Sequence, residues 1–285
     1  MWTDTQYTML QDFTELLAYT FFQRALIAGL LLAILAGIVG VFTLIRKASF
    51  FGDAVAHSAL AGVAIGLFFA IDPLISAAIY AVLISLFLPW FRKQTGFSFD
   101  SLLALLLPVS MGIGVIAFSL LPGYQPNLLS FLFGNLLAVT SSDLIFLGVL
   151  FISVSILLPF IAKKLLLVSL DEDQARLLGI NIPLHEMIYH FILALTVVSG
   201  VRLVGVVLIN AFLVIPPLVV SLHAKSIKQL FIYSPIIALV SVVGGIGLSI
   251  GLDLPTGAVI AVFAGFLFLL SVVLKKVKEQ IAVLL

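Results

Sequence analysis

Long apolar blocks separated by short polar breaks run through almost the whole chain. Blocks of about 20 residues match the length of helix that crosses bilayer hydrocarbon. The pattern therefore predicts an all-α, polytopic transmembrane helical bundle of about nine spans, with eight as the alternative count. The spans fall at roughly 20–45, 52–70, 74–91, 100–121, 143–162, 184–199, 203–222, 229–250 and 256–274. Three breaks, Ile71-Asp72-Pro73, Leu121 to Asn127 and Gly251 to Gly257, carry the Asp, Pro and Gly of tight turns. The apolar stretch Leu128 to Thr140 is short for a crossing and is expected to re-enter or to lie at the outer surface. If it does cross, a neighbouring span has to be recounted.

The breaks on the other side are more substantial. Asp171 to Ile180 opens with acids and closes near Gly179, the pattern of a short capped helix outside the membrane. Pro216-Pro217 is expected to break the span that starts at Leu203 and to present a second short helix before Lys228. Together these segments, about 171–181 and 216–228, predict a docking surface for a soluble partner. Residues 1–19 carry Asp4, Asp12 and Glu15 with no Lys or Arg before Arg24, unlike the positive start of a signal peptide. They are expected to form an extracytoplasmic or interfacial segment, helical over about 5–19, ahead of one transmembrane domain at 20–274 and a cytoplasmic tail at 275–285.

Charge gives the bundle a direction. With the N-terminus outside and the C-terminus inside, Arg46, Lys47, Arg92, Lys93, Lys163, Lys164, Arg176, Lys225, Lys228, Lys275, Lys276 and Lys278 all face the cytoplasm. That is 12 of the 14 basic residues, leaving Arg24 and Arg202, and a positive-inside bias of this strength sets the orientation. A composition of 63% hydrophobic and 9% charged residues, with a mean hydropathy of +1.32, excludes an ordinary soluble domain. The net charge of +1 gives no reason to expect nucleic acid. The chain has no cysteine, so disulfides, thiolate metal sites and thiol catalysis are excluded within it, and any metal must be held by oxygen and nitrogen. No Gly-x-x-x-x-Gly-Lys-Ser/Thr occurs, so the chain carries no such ATP cradle; if it is driven by ATP, another polypeptide binds the nucleotide.

Against this background Asp53 and His57 stand out. Four residues apart on a helix, they lie roughly 40° apart around the axis and one turn apart in height, so a carboxylate oxygen and an imidazole nitrogen can face one small cation. Counting from Lys47, His57 lies about 15 Å deep and Asp53 about 9 Å deep. A charge at that depth costs roughly 3 kcal/mol unless paired or hydrated, which makes the pair a functional candidate. The alternative is a buried Asp–His hydrogen bond that serves packing. Two residues do not fill a coordination shell, so further ligands come from another span, water or a second copy of the chain.

Other polar positions are weaker candidates. Glu186 and His190 repeat the spacing near the inner end of the sixth span, with His190 a candidate exit-side ligand. His185 to His190 superficially matches a metalloprotease helix, but five residues put the two histidines about 140° apart, which argues against an intramembrane metalloprotease. Asn210 lies deep in the seventh span, where interhelical bonding competes with a ligand role. Arg202 is expected to snorkel outward, and His223 to serve a surface or interface. Asp253, like Asp72, sits at the outer mouth, where it can attract cations but also serves its turn. Glycines such as Gly112, Gly200, Gly205 and Gly244 allow close packing or act as hinges.

The stretch Ser49 to Ala64, containing Gly52-Asp53-Ala54-Val55-Ala56-His57, resembles the Gly-Asp-x-x-x-His signature of the membrane permease subunits of bacterial ABC importers for zinc, manganese and iron, the ABC-3 metal permease family. Leu132 to Thr140, Val204 to Pro216 and Asp253 to Gly257 fit the same pattern in the same order, and the likeness covers about residues 20 to 274. It implies a type II-like ABC importer permease in the bacterial plasma membrane that passes a divalent ion from an extracytoplasmic metal-binding protein to the cytoplasm. It also implies a homodimer of permease chains and two cytoplasmic ATP-binding subunits coupled through the segments after Pro217 and beside Asp171 to Gly179. The resemblance further implies that no cofactor is held permanently and that ATP binds the partner subunit, so the chain is not expected to be an enzyme itself. Asp53 and His57 match the residues of the family's metal path; His190, Asn210 and Asp253 are secondary candidates. The wording is nearest the zinc-uptake branch, with manganese or iron as alternative cargo and a proton-coupled secondary metal transporter or an intramembrane metalloprotease as alternatives of another class.

Overall fold

Each helix ends where the sequence supplies a reason. The structure, a computed structural model, describes residues 15–121, 134 and 138–284. Among these, α1 spans Thr20–Ile45, α2 Ser49–Phe68, α3 Pro73–Thr95, α4 Phe99–Ser119, α5 Ser141–Leu170, α6 Glu172–Leu177, α7 Ile182–Ser221, α8 Ile227–Leu252 and α9 Thr256–Leu284. Asp72 caps α3 by accepting from the amides of Leu74 and Ile75, with Pro73 in the first turn, where its missing N–H costs nothing. Gly96 stops α3 in the left-handed conformation. Thr140 and Asp143 form a reciprocal capping box at the start of α5. Asp171 caps the short α6 that the acidic run predicts, and Asn181 caps α7.

Eight of these helices are long and apolar enough to cross a membrane, among the described residues. The predicted spans 184–199 and 203–222 are both parts of the 40-residue α7, whose only non-helical residue is Gly205, at φ 83° and ψ 167°. That single residue reverses the chain. The Tyr189 hydroxyl lies 3.2 Å from Thr43 Oγ1 of α1, while the Leu213 carbonyl lies against Gly40, one turn away on the same helix. A straight helix would hold Tyr189 and Leu213 roughly 36 Å apart. The two arms of α7 therefore run side by side, and among the described residues eight helices make nine passages through the bundle.

The expected break at Pro216-Pro217 is not there: the second arm runs through both prolines to Ser221, and a turn leads directly to α8 with no second short helix between. Proline at 217 removes the N–H that would bind the Leu213 carbonyl. That freed carbonyl packs against Gly40, and a Cβ there would overlap it. Close approach of α1 thus accommodates the proline and keeps the helix continuous. Gly40→Val is expected to cost about 1–3 kcal/mol through this overlap, read as a lowered thermal midpoint of the purified protein; an unchanged midpoint would show that the two helices are not held at that distance.

α7 sits at the centre, packed against α1, α2, α3, α5, α8 and α9. α3, α4, α5 and α9 expose large apolar side chains such as Ile79, Phe87, Ile116, Phe160 and Phe266, as lipid-facing helices do. One end of the bundle gathers Arg46, Arg92, Lys93 and Arg176; the other holds Asp143, Arg202 and Asp253. Leu16 lies beside Asp253 at this second end, whereas Ser271 meets His223 near the basic end, so the chain enters and leaves the bundle at opposite ends. The helix expected over 5–19 and the segment 128–140 lie largely outside the described residues. Gly134 is described: at φ 67° it sits so close to Val204 and Gly205 that a Cβ would overlap their backbone.

Candidate functional site

The first turns of α2 carry the site. Asp53 and His57 occupy one face, with His57 Nε2 3.6 Å from Asp53 Oδ1. That separation is too long for the hydrogen bond a packing role would make. It is close to the roughly 3.4 Å that separates two donors held about 2.1 Å from one tetrahedral ion. His57 is eight residues into α2, about 12 Å from its start. Its side chain is 16% exposed, whereas that of Asp53 is 37% exposed and so keeps an open side.

The second arm of α7 completes the cluster. Asn210 Nδ2 donates to Asp53 Oδ1 at 2.7 Å, across 157 positions of sequence. Gly52 makes the approach feasible, since a Cβ there would come within 2.9 Å of Leu213 Cδ1 and 3.0 Å of Asn210 Oδ1. Among the described residues, two buried polar atoms of this cluster have no hydrogen-bond partner: His57 Nδ1 and Asn210 Oδ1. Buried polar atoms are rarely left so. The donor set of one carboxylate, one imidazole and one amide suits a divalent cation held by oxygen and nitrogen. Among the described residues no group of three or more His, Cys, Asp or Glu side chains is placed to hold an ion.

His190 lies nearby but outside this cluster. Its ring packs on Phe51, two residues before Asp53, at 4.9 Å between centroids. Its Nδ1–H donates to the Glu186 carbonyl at 2.8 Å, which leaves the lone pair on Nε2. It lines a cavity of about 200 Å³ at the basic end with Arg46, Arg92, Glu172 and Glu186. Asp253 is not brought to Asp53 at all. It ends α8 at the opposite end of the bundle with φ 51°, beside an apolar cavity of about 310 Å³ that includes Leu16, Phe22 and Thr256. His185 and His190 each bind the backbone carbonyl four residues back, and Glu186 faces Arg46.

Two connections escape sequence reasoning. Arg202, expected to snorkel outward, is exposed and also pairs with the buried Asp143 at 2.9 Å, which ties the bend of α7 to the start of α5. The capping pattern Thr140-x-x-Asp143 was the available signal for an anchored acid there. Arg46 reads as one more inner charge, yet it is nearly buried. Its Nε donates to Ser169 at 2.9 Å, its Nη1 lies 3.6 Å from Glu186, and its guanidinium stacks 4.6 Å from the centre of the Tyr189 ring. It thereby joins α1, α5 and α7 beside the basic-end cavity. Arg46→Ala is expected to lower the thermal midpoint by several degrees, because it removes these contacts together with the ion-pair partner of the largely buried Glu186; an unchanged midpoint would contradict this.

Residues 18–275 match the family described as ABC 3 transport family. The high-affinity zinc uptake system membrane protein ZnuB of Haemophilus influenzae is 32% identical over 247 residues, covering 87% of this chain and 95% of that protein. The manganese transport system membrane protein MntC of Halalkalibacterium halodurans is 30% identical over 261 residues, covering 91% of this chain and 89% of that protein. Among solved structures, PsaBC from Streptococcus pneumoniae in complex with Fab is similar at a TM-score of 0.82 and 27% identity, over 92% of this chain and 95% of that one.

Proposed function

Since the chain belongs to the ABC 3 transport family and is a multi-pass membrane protein, we propose that it is the permease of an ATP-driven divalent-metal importer with zinc as its cargo. The observation that carries this reading is the convergence of Asp53 and His57 inside the bundle, at a donor separation suited to one ion. Zinc is preferred because one imidazole with one carboxylate suits it and because ZnuB is similar over nearly the whole chain. The likeness to MntC keeps manganese as the second cargo.

In this reading the basic end faces the cytoplasm and the end with Asp253 faces outward, as the positive-inside rule requires. An extracytoplasmic binding protein delivers the ion to the outer end. The Asp53 carboxylate offsets its charge as water is lost, and the His57 imidazole favours it over calcium and magnesium, which prefer oxygen. A second copy of the chain brings a second pair, and two ATP-binding subunits at the basic end, seated on α6 and the turn after Ser221, drive release. The contact must be transient, because a closed and tight shell would trap the ion.

The test is zinc uptake by proteoliposomes that contain this chain, its ATP-binding subunit and the binding protein. Uptake is expected to require ATP and to persist when the proton gradient is collapsed. Uptake driven by a proton gradient without ATP would replace this reading with secondary transport.

A further inference from the structure

The Asp53/His57 pair lacks ligands, and one amide beside it has an unused oxygen. Resting on the reading above, we infer that Asn210 is a third donor of the ion's stopping point, and that it exchanges its N–H for its carbonyl oxygen when the cation arrives. Asn210 Nδ2 donates to the oxygen of Asp53 that faces His57. Its other terminal atom, Oδ1, is buried and has no hydrogen-bond partner among the described residues. An amide placed only to glue two helices would be expected to use both ends, because an unpaired buried acceptor carries a desolvation cost.

A cation approaching Asp53 Oδ1 repels the N–H and attracts the amide oxygen. Rotation of the terminal amide by half a turn interchanges two groups of nearly equal size. Space for the incoming NH₂ exists because Oδ1 now lies where a Cβ on Gly52 would be only 3.0 Å away, and glycine has none. The exchange gives up one charge-assisted hydrogen bond to the Asp53 carboxylate and creates an oxygen ligand for the cation that replaces it there, so the loaded site presents Asp53 oxygen, Asn210 oxygen and His57 nitrogen. Two oxygens and one nitrogen form a harder set than the pair alone, and carboxylate and carbonyl oxygen favour manganese more than imidazole does. Asn210 thus sets how far the path admits manganese beside zinc.

The test measures radiozinc and radiomanganese uptake by the reconstituted importer, with the amount of permease in each vesicle preparation determined alongside. Asn210→Leu is expected to lower uptake of both metals by about tenfold, and Asn210→Ser, which restores an oxygen, to recover a measurable part of it. Asn210→His, which replaces oxygen by nitrogen, is expected to shift the zinc-to-manganese ratio toward zinc by about tenfold. A residue that only packs the helices would not move that ratio. Unchanged rates and ratio in the Leu and His variants would overturn the inference, as would a Ser variant as poor as Leu. If the His variant does not assemble, the Leu and Ser pair decides. Asp53→Ala serves as the reference: if it transports normally, the underlying site reading fails; if it is dead while the Asn210 variants match the parent, only the role of Asn210 fails.

Discussion

Asp53→Asn is expected to reduce zinc uptake by more than about a hundredfold while the permease still reaches the membrane and still co-purifies with its ATP-binding subunit. The substitution keeps the size of the side chain and an oxygen that can accept from Asn210 Nδ2. What it removes is the negative charge. An ion that sheds water at this depth without that charge meets a penalty of roughly 3 kcal/mol, and each 1.36 kcal/mol is about a factor of ten in rate. His57→Leu is expected to fail for a related reason, because it removes the nitrogen donor 3.6 Å from the carboxylate while leaving an apolar group that the bundle can bury. Assembly separates this outcome from misfolding. Normal uptake in both variants would take the pair off the ion's path.

Gly205→Val is expected to have the largest effect on folding. The φ of 83° and ψ of 167° at this residue lie in a region essentially restricted to glycine, and a side chain there costs of order 1–3 kcal/mol in backbone strain. The bend cannot move aside, because Gly134 packs directly on the backbone of Val204 and Gly205, and Arg202 is tied to Asp143. The second arm of α7, which delivers Asn210 to Asp53, depends on this reversal. The expected result is little folded permease in membranes and a melting transition lowered by several degrees. Gly112→Ala serves as the control, since a Cβ there meets nothing within 4 Å. Equal yield and stability for the Gly205 and Gly112 variants would contradict the assigned role of the bend.

The parts of the fold that local chemistry decides are legible in the chain. Asp72-Pro73, Thr140-x-x-Asp143 and the acidic start at Asp171 all cap helices as their residue types require. The spacing of Asp53 and His57 likewise places them on one face of α2. What escapes are features decided by a distant partner. Pro216-Pro217 looks like a break until Gly40 offers the freed Leu213 carbonyl a close neighbour. Gly205 looks like any packing glycine among several in the spans, although its backbone turns α7 back on itself. Asn210 gains meaning only when that reversal brings it to Asp53, and Arg202 only when Asp143 lies beside the bend. Asp253 fits its family motif and its turn, but the bundle keeps it at the far end from Asp53.

The transported ion is expected to stop between Asp53 and His57. Anomalous diffraction at the zinc edge, from crystals of the importer carrying a hydrolysis-deficient ATP-binding subunit and equilibrated with zinc, tests it most directly. The expected peak lies about 2.0–2.2 Å from a carboxylate oxygen of Asp53 and from an imidazole nitrogen of His57. A peak in the basic-end cavity beside Glu186 and His190, with nothing at Asp53, would contradict the claim.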